Sequence, residues 1–126
     1  MLEKYDTVDA ETLQRHLVAF VKSFVVREKR ERWINILLKR PDRAQRDGCR
    51  MVSDLDTNRC GPGVYSTLPK LKNKKGAYYE FSGKAIWLPC ADALDIGHGN
   101  DAIFSIEEGT LAAFFFHQWE EFLCEK

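Results

Sequence analysis

The spacing of apolar residues changes from about 3.6 to about 2 near the turn sequence NRCGPG, residues 58–63. Before this turn, apolar residues between Leu13 and Val25 recur on one helical stripe. After it, short apolar segments have the period of strands. The order of the two patterns predicts an α+β fold, with N-terminal helices packed on one face of a mostly antiparallel sheet built from hairpins.

Capping and breaking residues divide the helical part. Asp9 precedes the first stripe, and we expect it to cap the first helix. A charged stretch and a second apolar pattern predict a second helix over residues 27–40. Pro41 suits the first position of a third helix. Gly48, in the middle of that helix, weakens the prediction because glycine disfavours helix interiors. The expected inner face of the third helix consists of Ala44, Cys49, Val52 and Leu55.

Turn residues divide the sheet part. The pattern predicts a strand at 64–68, a hairpin of 77–81 and 84–88 around Ser82-Gly83, and a helical turn at 91–96 capped by Gly97. A second hairpin pairs 102–106 with 110–116, and its strand 111–116 is apolar on both faces, as a doubly covered central strand is. Length predicts one domain, 1–126, with a helical part over about 9–56 and a sheet part over about 64–124.

The stretch FFFHQWEEF, residues 114–122, is the part of the chain that looks most like a site. Trp119, Phe122 and Leu123 have the spacing of one helical face, so a short helix is the favoured interpretation over a strand. Glu120 and Glu121 are then expected in water. The residues predicted to be buried are Leu17, Phe20, Phe24, Trp33, Phe104, Phe114 and Phe116.

His117 is interpreted first as a partly exposed histidine at the edge of the core. A catalytic alternative pairs it with Cys90 or Cys124 as a nucleophile. Together with His98 these residues could also be assembled into a metal site, but their separations match no common zinc motif. Phosphate-binding glycine motifs are absent from the sequence as well. We therefore expect no cofactor and no metal, and an enzyme centred on His117 is the third hypothesis.

The sequence begins without a secretory or basic targeting pattern, and its apolar runs are too short to cross a membrane. We therefore expect a cytoplasmic protein that does not associate with membranes and whose four cysteines are reduced. Composition leaves the oligomeric state open.

Charge is distributed unevenly although the formal net charge is zero. Residues 22–84 carry a balance of +9, and residues 85–126 carry −7. An acidic surface favours a basic protein partner. The first hypothesis is therefore a small protein-binding domain, in the manner of immunity proteins that neutralise toxic nucleases. Its expected partner-binding residues are Asp92, Asp95, Asp101, Glu107, Glu108, Glu120 and Glu121.

The basic middle of the chain supports an alternative. A charged helix and the lysine-rich stretch KLKNKK, residues 70–75, could contact phosphates of a nucleic acid. Lysines of this kind also protect sheet edges from pairing. The residues expected to bind nucleic acid are Arg27, Arg30, Lys70, Lys72, Lys74 and Lys75.

Overall fold

A computed structural model describes residues 4–63, 71 and 73–126. Its α-helices are α1 Ala10–Phe24, α2 Arg30–Lys39, α3 Pro41–Asp47 and α4 Cys90–Gly97, and 3-10 segments cover Arg27–Lys29 and Gly48–Asp54. Its strands are β1 Cys60–Gly61, β2 Lys75–Tyr79, β3 Ala85–Pro89, β4 Ala102–Glu107, β5 Leu111–Phe116 and β6 Glu120–Glu125. The strand expected at 64–68 and the lysines at 70 and 72 lie outside the described residues.

Helix α1 forms where the stripe predicts it. The Asp9 carboxylate accepts a hydrogen bond of 2.8 Å from the backbone N–H of Thr12, which confirms Asp9 as the cap. Phe20 and Phe24 are buried on the inner face of the helix. Among the helices that the structure describes, none combines the length and the apolar character that crossing a bilayer requires.

The predicted second and third helices are both shorter than expected. The chain leaves α1 at Val25, which bridges to Leu55, and passes through a 3-10 turn before α2 begins at Arg30. Helix α3 begins at Pro41 as predicted but tightens into a 3-10 segment at Gly48. A Cβ atom on that glycine would lie 2.4 Å from the Phe81 ring, so the close approach requires glycine.

The six described strands form one antiparallel sheet in the order β1-β6-β5-β4-β2-β3. Helices α1 to α3 pack on one face around Phe114, and α4 packs on the other face around Phe115. Strand β5 is therefore central and covered on both sides. The predicted fold class, α+β with N-terminal helices on one face of the sheet, is confirmed.

The N-terminal segment continues the sheet beyond β3. The backbone N–H of Val8 donates to the carbonyl of Ala85 at 2.9 Å, and that of Trp87 donates to the carbonyl of Asp6 at 2.9 Å. Thr7 bridges Ile86 between these bonds. The outer edge of β3 thus has backbone partners along part of its length.

The β2–β3 hairpin closes differently from the prediction. Pairing ends at Tyr79 and Ala85, so five residues connect the strands instead of Ser82-Gly83 alone. Phe81 was expected inside the strand, but it lies in this connection with a φ of 62° and is buried against Gly48. Burial of the aromatic ring outweighs the cost of the left-handed backbone.

The end of the chain is a strand, so the short helix favoured at 119–123 is wrong. All six residues of β6 pair with β5, from Glu120 opposite Phe116 to Glu125 opposite Leu111. Backbone pairing with a central strand outweighs the helical spacing of three side chains. Phe116 was expected to be buried but is half-buried, because it lies at the last pair beside the β5–β6 turn.

We expect Phe24→Ala to lower the free energy of unfolding by about 3–5 kcal/mol, because it leaves a cavity under the helical layer. A urea melt of each variant measures the loss. Lys22→Ala, on the exposed side of the same helix, is the matched control and should change little. A loss below about 1 kcal/mol for Phe24→Ala would contradict the packing of α1.

Candidate functional site

The acidic residues of the sheet lie in two separate groups. Glu107 ends β4, and Glu108 follows it in the β4–β5 turn. Asp101 precedes β4, and Glu120 and Glu121 begin β6 at the opposite end of the sheet. Because β4 has six residues, roughly 20 Å of strand separates the two groups.

Basic side chains already contact the first group. Lys74 Nζ lies 2.9 Å from Glu107 Oε1, and Arg15 Nε lies 3.3 Å from Glu108 Oε1. All four side chains are substantially exposed, so these pairs add little stability. They do reduce the negative charge that this end of the sheet presents to a partner.

The remaining acidic candidates lie on α4. The Tyr5 hydroxyl donates to Asp92 Oδ2 at 2.6 Å, and this bond raises the pKa of Tyr5. Asp92 thus connects the N-terminal segment to α4. Asp95 is exposed one helical turn later.

The β5–β6 turn presents an exposed tryptophan. The Trp119 residue is 64% exposed and has a φ of 64°, in the left-handed region that non-glycine residues rarely adopt. Its ring meets the His98 ring edge-on, with centroids 4.5 Å apart. A Cβ atom on Gly99 would lie 2.9 Å from the tryptophan ring, so the glycine lets the indole rest against this loop.

Glu121 was expected to lie in water, but its side chain is buried. Its side chain is 7% exposed, and Oε1 lies 2.7 Å from His98 Nδ1. Glu121 pairs with Phe115, whose ring faces α4, and that face of the sheet ends beside the His98 loop. A carboxylate in such surroundings requires a hydrogen-bonding partner, and the imidazole provides one.

His117 is half-exposed and belongs to a second imidazole–carboxylate pair. Its Nδ1 lies 2.9 Å from Asp101 Oδ1, and its backbone N–H donates to the same oxygen at 2.8 Å. The donor atoms of Cys49, Asp101 and His117 all lie within 4.8 Å of one another. Cys49 comes from the 3-10 segment after α3, so three distant parts of the chain meet here.

The cysteine near His117 is therefore neither of the two considered from sequence. Cys90 begins α4, and Cys124 lies opposite Cys60 across β1 and β6. Burial raises the pKa of Cys49, and the Asp101 carboxylate raises it further. A raised pKa makes a thiol a weaker nucleophile near neutral pH.

The described basic residues chosen from sequence lie at two places in the fold, the beginning of α2 and the beginning of β2. Arg30 Nε donates to the carbonyl of Val25 at 2.9 Å, and Arg27 is exposed in the preceding 3-10 turn. Lys74 and Lys75 lie at the start of β2, where Lys74 contacts Glu107. Lys70 and Lys72 lie outside the described residues.

A basic cleft that the sequence interpretation missed lies between α2, α3 and the second 3-10 segment. It has a volume of about 310 Å³, and its charged lining residues are Lys29, Arg32, Arg43, Asp47, Arg50 and Asp54. The Asp47 carboxylate lies 3.5 to 4.0 Å from three guanidiniums, those of Arg43, Arg46 and Arg50. Spacings of three and four residues along the chain were the available signal for this arginine cluster.

A serine–histidine–glutamate arrangement between α1 and the β4–β5 hairpin also escaped prediction. His16 Nδ1 lies 2.7 Å from Ser105 Oγ, and His16 Nε2 lies 3.9 Å from Glu108 Oε1. Ser105 is buried beneath the imidazole, so a substrate cannot reach its hydroxyl. The Trp87 ring packs edge-on against His16 at 5.7 Å. This arrangement holds α1 on the sheet.

Comparisons with protein-family models, with curated proteins and with solved structures give no match for this chain. The fold and the contacts define a small α+β domain whose distinctive features are an exposed tryptophan turn, a basic cleft and a cysteine–aspartate–histidine cluster. Its function is therefore inferred from these contacts.

His16 makes stability depend on pH. Burial lowers its pKa from the ordinary value of 6.5. The unfolded chain then binds a proton more readily than the folded one, so stability is full above about pH 6.5 and falls as the pH drops toward the folded-state pKa.

We expect the stability advantage of the wild type over His16→Gln, which does not titrate, to shrink between about pH 8 and pH 5. Urea melts at several pH values measure the difference. A constant difference would show that the imidazole is not held neutral. Because the other histidines are present in both proteins, their contribution cancels.

Proposed function

We propose that this protein is a non-enzymatic protein-binding domain that docks a basic partner at the β5–β6 tip. The β5–β6 tip is defined as His98, Asp101, Trp119, Glu120 and Glu121. The observation that carries the proposal is the exposure of Trp119 on a left-handed turn. In the described part of the chain, Trp119 is the large apolar side chain that stands out as exposed.

Tryptophan is enriched among the residues that dominate binding energy in protein interfaces. A left-handed backbone at a non-glycine residue costs on the order of 1–3 kcal/mol, and such residues cluster at functional sites. The His98 ring and Gly99 support the indole from one side, which limits its motion before binding. A supported aromatic ring loses less conformational entropy when a partner covers it.

Charge around the tryptophan selects the kind of partner. Glu120 is exposed beside Trp119, and Asp101 lies at the same end of the sheet. Carboxylates at the rim of an interface steer a positively charged protein and raise its association rate. An inhibitor of a basic enzyme, in the manner of an immunity protein for a toxic nuclease, fits this chemistry. The four free thiols suit a cytoplasmic location, which forms part of the same proposal.

Affinity capture from the native cytoplasm, with wild type and variants as parallel baits, tests the proposal. We expect Trp119→Ala to lose at least about 30-fold in affinity for the protein that the wild type retains, as removal of a dominant interface residue does. Its free energy of unfolding should stay near the wild-type value because the side chain is exposed. Equal retention by Trp119→Ala would contradict docking at the tip.

Glu120→Lys tests the charge part of the same proposal. The reversal should slow association with a basic partner, and added salt should diminish the effect over a Debye length of about 8–10 Å. Glu107→Lys with Glu108→Lys, at the other end of the sheet, is the matched control. An equal effect of the control would place the interface on the β4–β5 turn.

The basic cleft favours nucleic-acid binding as the second candidate function. Its lining carries four cationic and two acidic side chains, and Arg50 is largely exposed. Arginines arranged around a cleft can contact successive phosphates. This candidate rests on residues that the fold brings together, in place of Arg27, Arg30, Lys74 and Lys75, which were expected from the sequence.

An electrophoretic shift titration against mixed DNA and RNA at low salt tests the second candidate. The wild type should retard the nucleic acid, and Arg43→Ala with Arg50→Ala should weaken binding and reduce the salt dependence by about one unit of slope per lost phosphate contact. Lys74→Ala with Lys75→Ala serves as the control of equal charge change. Absence of any shift at micromolar wild-type protein would eliminate this function.

A further inference from the structure

Three different metal-binding side chains meet on the rim of the sheet. Asp101 immediately precedes β4, and His117 immediately follows β5, the strand that pairs with it. Cys49 reaches the same place from the 3-10 segment that packs beside Phe81. The sulfur, imidazole nitrogen and carboxylate oxygen lie within 4.8 Å of one another.

We propose that Cys49, Asp101 and His117 form a binding site for a zinc-like divalent metal ion. Zinc accepts sulfur, nitrogen and oxygen ligands, with bonds of about 2.0–2.3 Å in a tetrahedral arrangement. Magnesium and calcium require mainly oxygen ligands and do not suit a thiolate and an imidazole. The donor set thus selects zinc or a transition metal of similar preference.

The geometry is close to what coordination requires. Tetrahedral bonds of about 2.0–2.3 Å place donor atoms roughly 3.3–3.8 Å apart. Donors now within 4.8 Å reach that spacing through side-chain shifts of about 1 Å or less. The His117 side chain is half-exposed and can make such a shift without disturbing the core. On binding, the Cys49 thiol releases its proton to solvent and the thiolate becomes the ligand.

The fold holds the carboxylate in place before any ion arrives. Asp101 Oδ1 accepts from the backbone N–H of His117 at 2.8 Å, which ties the two ligands together independently of the imidazole. A cavity of about 190 Å³ borders the cluster and is lined by Cys49, Asp101, Glu80 and Asn100 among others. Three protein ligands leave a fourth position, which water can fill.

Cobalt substitution tests the site because it reports on sulfur ligation directly. The reduced full-length protein, freed of metal, is titrated with Co²⁺ and then with Zn²⁺. We expect one equivalent of Co²⁺ to produce a thiolate-to-cobalt charge-transfer band in the near ultraviolet and the strong visible bands of tetrahedral cobalt, and Zn²⁺ to displace it. Cys60, Cys90 and Cys124 are buried in the folded protein and should not contribute.

Variants identify the ligands. Cys49→Ser should abolish the charge-transfer band, and His117→Ala and Asp101→Asn should each weaken Co²⁺ binding at least tenfold. His98→Ala is the matched control, because His98 is similarly exposed and carboxylate-paired but belongs to the other pair. Circular dichroism verifies that each variant folds.

Thermal unfolding supplies a readout that does not depend on absorption. Zinc should raise the Tm of the wild type and of His98→Ala, and leave that of Cys49→Ser unchanged, because only a folded site binds the ion. Failure to bind Co²⁺, a charge-transfer band that persists in Cys49→Ser, or an equal loss in His98→Ala would each overturn the proposal. Partner binding plays no part in this experiment, so its outcome is independent of the proposed function.

Discussion

The architecture depends on burial of strand β5 on both faces. Phe114 packs among α1 to α3, and Phe115 packs on the other side against α4. An apolar strand of this kind needs a layer on each side and a paired neighbour along each edge. Strands β4 and β6 supply the neighbours, and the helices supply the layers.

The same constraint places the candidate functional residues. A buried strand has to end where its neighbours turn, and polar side chains collect at those ends because they reach water there. His117, Trp119 and Asp101 lie at one end of the β4–β5 pair, and Glu107 and Glu108 lie at the other. The acidic residues that the sequence suggested as one face are therefore separated by the length of β4.

Local sequence patterns correctly predicted the features that depend on neighbouring residues. The apolar stripe predicted α1, Asp9 was predicted to cap it, and Pro41 was predicted to begin α3. Each of these features depends on residues only a few positions apart in the chain. A short helix was favoured at 119–123, because three apolar side chains there have helical spacing. Residues 120–125 form a strand instead, because they pair with β5. Local propensity carries no information about that partner.

The candidate sites could be predicted even less well, because they depend on contacts between distant parts of the chain. Nothing near Cys49 in the sequence indicates His117, because their meeting depends on a 3-10 segment crossing beside Phe81. Burial of Glu121 depends on which face of β6 meets the His98 loop. The arginine cluster around Asp47 was readable from the sequence, because Arg43 and Arg50 lie four and three residues from Asp47.

The backbone pairing of Asp6 and Val8 with β3 has a practical consequence for handling the protein. That segment occupies hydrogen-bonding groups that would otherwise form an open sheet edge. Trimming the chain past Val8, or attaching a bulky fusion that pulls the segment away, would leave β3 able to recruit a strand from another molecule. Variants shortened at this end also lose the buried Val8 side chain and should therefore be prone to aggregate, and a tag at the other terminus avoids this risk.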